Sequence, residues 1–250
     1  RKLLTILVNF KLFSFKMNSE GYIHRRLLKI IIMKTFIKYN LFIVSLIFCF
    51  TPTQEVKSQD FGADVVSSYV WRGSQFGTGP HVQPWMELGA GGFSGGIWGS
   101  FGLNSDSSGN ELDLWASYDF GPLALTVTNY SFPGGDGKYP SDSGVFDGDI
   151  EVSGSASLGP IDLTVGYFTD LESLYIEAGF SAGPIDIALG YGSDGDGTTT
   201  YAGGDSGLVN LSVGGSKDIK ITDDYSLPVF GSFIYNADAE AAFLVFGASF

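Results

Sequence analysis

The sequence predicts an all-β protein: a closed antiparallel up-and-down transmembrane β-barrel of about 12 strands, occupying residues 59–250. Three observations predict it. From Gln59 to Phe250, apolar and polar residues alternate in short segments, and no apolar face recurs at the helical period. The connections alternate between tight Gly or Gly-Pro turns and longer polar stretches, so each kind gathers at one end of the sheet. The chain ends in an alternating strand with Ala242, Leu244, Phe246, Ala248 and the terminal Phe250 on one face.

The elements follow in order. Strands are expected over 62–72, 80–90, 93–103, 110–120, 122–132 and 147–158, then over 160–168, 172–182, 184–192, 206–217, 225–236 and 239–250. The first two flank the Gly73–Gly79 loop. The second and third meet at Gly91-Gly92. One motif marks three further hairpin ends: Gly121-Pro122-Leu123, Gly159-Pro160-Ile161 and Gly183-Pro184-Ile185. Glycine tolerates the unusual turn angles and proline presets a dihedral. Longer connections fall at Asn104–Gly109, Pro133–Phe146 and Ser193–Asp205.

Alternation gives each strand two faces. Leu112, Leu114, Ala116, Tyr118 and Phe120 oppose Glu111, Asp113, Trp115, Ser117 and Asp119. A soluble sandwich also alternates. The membrane reading is preferred because aromatics cluster near strand ends, as lipid-interface girdles do. Tyr69, Trp71, Phe132, Tyr167, Tyr191 and Tyr235 fall at the long-loop end, and Phe61, Phe120, Phe180 and Phe250 at the short-turn end. Lysine, which guards the edges of soluble sheets, is nearly absent from the strands.

The residues before the barrel read differently. Met33, Lys34 and Lys38 precede an apolar run from Leu41 to Phe50 and then Thr51-Pro52-Thr53, the layout of a cleaved signal peptide over 33–58. The run is too short to span a bilayer comfortably, which takes about 20 residues. Residues 1–32 read as an over-extended gene model. The lone Cys49 lies in the apolar run, and the bulky Phe48 before it argues against lipidation.

Past Ser58 the only cations are Arg72, Lys138, Lys217 and Lys220, against 25 acidic residues. This excludes nucleic acid as a partner, because phosphate binding requires clustered Lys and Arg. No cofactor or metal site is expected. Ser193-Asp194-Gly195-Asp196-Gly197 spaces two carboxylates as calcium loops do, but lacks the remaining ligands. His81 is the only histidine past the leader, and no Ser pairs with it in the sequence, so no enzyme is expected.

The inward face is the informative surface. Parity directs Asp64, Glu87, Glu111, Asp113 and Asp119 into the lumen, with Asp149, Glu151, Asp162, Glu177 and Asp186. Arg72 is the main opposing charge. A passage lined by carboxylates attracts cations and repels anions. Arg72 is expected near the outer mouth, and Asp64 and Glu87 on adjacent strands near the inner one.

Ser67-Ser68-Tyr69-Val70-Trp71-Arg72-Gly73-Ser74-Gln75, followed by Pro80 and Gln83, resembles the first hairpin of the TorF family of porins. Glu111-Leu112-Asp113-Leu114 with Tyr118 resembles that family's fourth-strand pattern. The resemblance implies a channel-like barrel in the bacterial outer membrane. The expected function is a porin-like channel for small hydrophilic solutes, cation-preferring, in a Gram-negative cell. Both mature termini would be periplasmic. The expected partners are outer-membrane lipid, the barrel-insertion machinery through the strand ending at Phe250, and small solutes or cations. The alternatives are a non-conducting structural or surface-interaction barrel, with a lumen filled by inward Trp85, Trp98, Trp115, Phe168 and Tyr175, and a barrel lipid hydrolase using His81.

Overall fold

A computed structural model describes residues 58–104, 110–132, 146, 148–195, 198–201 and 205–250. Residues 1–57, including nearly all of the expected leader, lie outside the described residues, as do most of the Asn104–Gly109 and Pro133–Phe146 connections and Asp196 of the calcium-like spacing.

Fourteen strands form among the described residues. They are β1 (Ser58–Val66), β2 (Tyr69–Trp71), β3 (Ser74–Gly77), β4 (His81–Ala90), β5 (Phe93–Gly102), β6 (Glu111–Asp119) and β7 (Ala124–Ser131). There follow β8 (Asp149–Leu158), β9 (Ile161–Phe168), β10 (Ser173–Ala182), β11 (Ile185–Ser193), β12 (Ser206–Lys220), β13 (Ser226–Asn236) and β14 (Ala241–Ser249). Twelve of them close into a barrel in which each strand pairs with its sequence neighbour, and β1 pairs both β4 and β14. All pairings are antiparallel, so the expected up-and-down barrel is the fold.

Closure is short but well bonded. Asp64, Val65 and Val66 register with Ser249, Ala248 and Gly247. Reciprocal backbone bonds between Ala63 and Phe250, 3.0 and 3.1 Å, extend the seam. Closing the sheet removes the two edges that an open antiparallel sheet would expose.

The tight turns sit where the Gly-Pro motif placed them. Leu158 registers with Ile161 and Ala182 with Ile185, leaving Gly159-Pro160 and Gly183-Pro184 as two-residue links. Gly159 and Gly183 have φ of 67° and 61°. A positive φ at the first central residue is what a type II′ hairpin turn demands, and glycine meets it without a steric penalty.

The outward face is apolar all round. Leu163, Val165, Ile187, Leu189, Leu244 and Phe246 stand exposed there, with Leu244 59% and Phe246 56% accessible. The aromatic residues Phe61, Phe120, Phe180 and Phe250 are exposed at the short-turn end, and Tyr167 and Tyr191 toward the other. The inward face carries the polar and acidic residues, and among the described residues Phe168, Tyr175, Tyr201 and Val209 form a buried apolar cluster.

The first strand departs from expectation. It begins at Ser58 and ends at Val66, not Arg72. Tyr69, Val70 and Trp71 belong to a separate two-stranded sheet with Ser74–Gly77. Tyr69 and Trp71 are therefore not girdle residues. Tyr69 is 4% accessible, and both rings pack against inward-facing barrel residues.

Candidate functional site

The connection between β1 and β4 does not arch over the rim. It folds into the barrel as the β2–β3 hairpin. Trp71 registers with Ser74, so Arg72-Gly73 forms a two-residue turn. Both residues have positive φ, 48° and 79°, the requirement of a type I′ turn. Arg72 pays a steric cost for that conformation, which persists where surrounding contacts over-determine it.

Those contacts reach most of the way round the lumen. On one side the Tyr69 hydroxyl donates to Glu111 Oε2 on β6 at 2.7 Å. Its ring centroid lies 5.5 Å from that of Trp98 on β5 and 6.0 Å from that of His81 on β4. On the other side, Trp71 packs on Tyr130 of β7 at 5.4 Å and on Phe168 of β9 at 6.3 Å. Asn236 Nδ2 on β13 donates to the Gly73 carbonyl at 3.1 Å.

Arg72 is the centre of this clamp. Its guanidinium binds the Glu151 carboxylate on β8 in bidentate fashion, Nη1 to Oε2 and Nη2 to Oε1, the latter at 3.1 Å. Nη1 also donates to the Tyr201 hydroxyl at 2.7 Å. The guanidinium carbon lies 4.3 Å from the ring centroids of both Trp71 and Tyr175, an arrangement in which the ring quadrupoles stabilise the cation. Burial works against its charge, but the hydrogen bond to Glu151 and the charge of that carboxylate outweigh it and hold Arg72 above its ordinary range. Burial raises Tyr201 above the usual tyrosine range, with Arg72 opposing and the Glu151 charge adding to the shift.

A bulge completes the fit. The β11–β12 register shifts between Gly190 and Tyr191, leaving Val209 as the extra residue on β12. Val209 is fully buried. Its carbonyl lies where a side chain on residue 73 would have to go, so only glycine admits this approach.

The ten carboxylates expected in the lumen divide by depth and partner. Glu111, Asp113 and Glu151 are buried toward the long-connection end, and Asp149 is half-buried beside them. Glu177 accepts hydrogen bonds from Tyr175 and from Asn210 Nδ2, the latter at 2.8 Å. Asp119, Asp162 and Asp186 are exposed toward the short-turn end. Asp186 accepts from Ser181 at 2.7 Å, and Asp119 from the Gly121 amide at 2.6 Å. Asp64 and Glu87 are not opposite one another. Asp64 registers with Gln83, and Glu87 with Asp60, a second acidic residue at that level.

Sequence reasoning placed Arg72 at a mouth, and the structure brings it inside, with Glu151, Tyr175 and Glu177 around it. It missed Tyr201, Val209, Asn210 and Asn236. Only strand parity hinted at the two asparagines. Tyr201 lies in a long connection and Val209 is turned inward by the bulge, so neither carries a sequence signal. Trp85 registers with Trp98, and Trp115 with Gly96, so these tryptophans do line the inner face. His81 is fully buried on that same face, its Nδ1 2.8 Å from the Gly79 carbonyl. Among the described residues no group of three His, Cys, Asp or Glu side chains is placed to hold a metal ion.

The hairpin fills the lumen toward the long-connection end, and the exposed carboxylates Asp119, Asp162 and Asp186 stand toward the other. Comparison with protein-family models, with curated proteins and with solved structures finds no match for this chain.

Proposed function

We propose that this chain is a porin-like channel of the Gram-negative outer membrane, admitting small hydrophilic solutes with a preference for cations. One observation carries the reading: a closed twelve-stranded barrel that is apolar outside and lined inside by carboxylates. Only a closed barrel satisfies every backbone group of a sheet in lipid. Exposed Leu, Ile, Val and Phe around the whole circumference suit hydrocarbon and not water. The resemblance of Ser67–Gln75 to the TorF porins points the same way. On this reading the short turns and both mature termini face the periplasm. The last strand, ending at Phe250, addresses the insertion machinery, and His81 has a packing role with no catalytic step.

The free charge inside the barrel is negative. Arg72 is bound to Glu151, whereas Asp119, Asp162 and Asp186 remain exposed toward the short-turn mouth. Carboxylates in a low-dielectric passage raise the local cation concentration. The test is conductance in a planar bilayer, with the reversal potential measured across a potassium chloride gradient. Stepwise conductance with cation selectivity is expected. Stable insertion without current, or anion selectivity, removes the reading.

The β2–β3 hairpin favours a second reading, a barrel that does not conduct at rest. Its contacts run from β4, β5 and β6 on one side to β8, β10 and β13 on the other. A silent wild-type barrel would support it.

A further inference from the structure

The inward hairpin roofs a cavity of about 360 Å³ on its short-turn side. Small-molecule sites occupy ~300–1,000 Å³, so the space suits one small ligand. Trp71 and Arg72 form part of the roof, and the wall comes from β9, β10, β12 and β13.

The wall is rich in uncommitted hydrogen-bonding groups. Thr164, Ser212 and Ser232 are half-buried and face the cavity. Their hydroxyls have no hydrogen-bond partner among the described residues. Glu177 receives both of its hydrogen bonds on Oε2, which leaves Oε1 to accept from a ligand. Asn210 on β12, one strand beyond β11, holds that carboxylate in place. Hydroxyls that both donate and accept, beside one oriented carboxylate oxygen, match a molecule with several adjacent hydroxyl groups.

Charged ligands fit less well. An anion would have to compete with the bidentate Glu151 for Arg72 while lying beside Glu177. A divalent cation takes about six oxygen ligands, usually several of them carboxylates. Here Glu177 is the only carboxylate in the wall among the described residues.

We infer that the cavity beneath the β2–β3 hairpin is a binding site for a neutral polyhydroxylated solute of monosaccharide size, held by Thr164, Ser212, Ser232 and Glu177. The inference rests on the reading that small hydrophilic solutes enter the lumen, and it names their class.

Trp71 provides the readout. Glucose, galactose and mannose are each titrated into the detergent-folded barrel while tryptophan fluorescence is recorded. Methylammonium chloride and sodium phosphate are titrated in parallel. A saturable change with at least one sugar is expected, and Trp71→Phe should abolish it while the other three tryptophans remain. The double variant S212A/S232A should weaken Kd about tenfold, the size expected for losing two modest hydrogen bonds. Thr164→Val serves as the second variant, on a different strand. No saturable change with any sugar, an unaltered Kd in both variants, or saturation by methylammonium or phosphate in place of sugar overturns the assignment. Bilayer conductance on the same preparation separates the two proposals. A silent barrel that binds sugar loses the channel and keeps the site, and a conducting barrel without a sugar response does the reverse.

Discussion

Arg72 and Glu151, 79 positions apart in the chain, form a bidentate ion pair inside the barrel, with side chains 12% and 2% accessible. The pair fastens the tip of the β2–β3 hairpin to β8. Removing one partner of a buried pair typically costs about 3–5 kcal/mol, because the other charge is left unpaired. In Arg72→Ala the hairpin can relieve Glu151 by moving out of the lumen. We therefore expect R72A to raise conductance in a planar bilayer relative to the wild type. In urea unfolding from lipid vesicles, the cycle formed by R72A, E151Q and the double variant should show a coupling of about 1–3 kcal/mol. Additive single effects would show that the pair does not hold the hairpin.

Gly73 and Gly159 separate the hairpin from ordinary turn chemistry. Both have positive φ. At Gly159 nothing lies within 4 Å of where a Cβ would be, whereas at Gly73 the Val209 carbonyl occupies that place. Gly159→Ala should lose only the conformational term, about 1 kcal/mol. Gly73→Ala adds a backbone collision, so the hairpin must withdraw or the bulge must shift. Its loss should exceed that of G159A by about 1–3 kcal/mol in the same urea assay. It should also raise conductance as R72A does, which a loss of barrel stability alone would not.

What was legible and what was not divide along the period of the chain. Alternation is local, so Glu111 against Leu112 and Asp162 against Ile161 already fixed which face each residue takes. Gly159-Pro160 marked its turn for the same reason: the requirement for positive φ is met within two residues. The Tyr69–Trp71 segment also alternates, and read as the end of the first strand it placed two aromatics in a lipid girdle. Nothing local distinguishes a strand that continues up the wall from one that turns inward. That choice depends on Glu111, Tyr130, Glu151, Tyr201 and Asn236, spread over about half of the chain. The segment that resembles a porin hairpin is thus the one whose placement depends most on tertiary contacts.

Val165 and Thr164 test the surroundings of the barrel. They are neighbours on β9, but Val165 is 45% accessible on the outer face and Thr164 lines the inner cavity. In a bilayer, Val165→Arg should cost about 2–4 kcal/mol if the residue lies near the midplane. In water, an arginine at an exposed position usually changes stability by about 0.5 kcal/mol or less. Urea titration of the barrel folded into phosphatidylcholine vesicles should show the larger loss. A shift within the smaller range would place β9 outside the hydrocarbon and undo the membrane reading.

Asp162 and Asp186 test the charge preference. Each follows a Gly-Pro turn, faces inward and is exposed toward the short-turn mouth, with Ser181 donating to Asp186 at 2.7 Å. Exposed charges act over about one Debye length, ~8 Å at physiological ionic strength and longer in dilute salt. The double variant D162N/D186N keeps the shape of both turns and removes two negative charges from the mouth. Its reversal potential in a potassium chloride gradient should move toward the unselective value, and the shift should grow as the salt is diluted. Glu151→Gln should behave differently, since its charge is spent on Arg72. Releasing the guanidinium inside the lumen should reduce cation preference even at high salt, because a charge buried beside Tyr175 and Trp71 is poorly screened. Equal salt dependence for the two variants would mean that the mouth carboxylates and the hairpin clamp act on permeating ions at the same place.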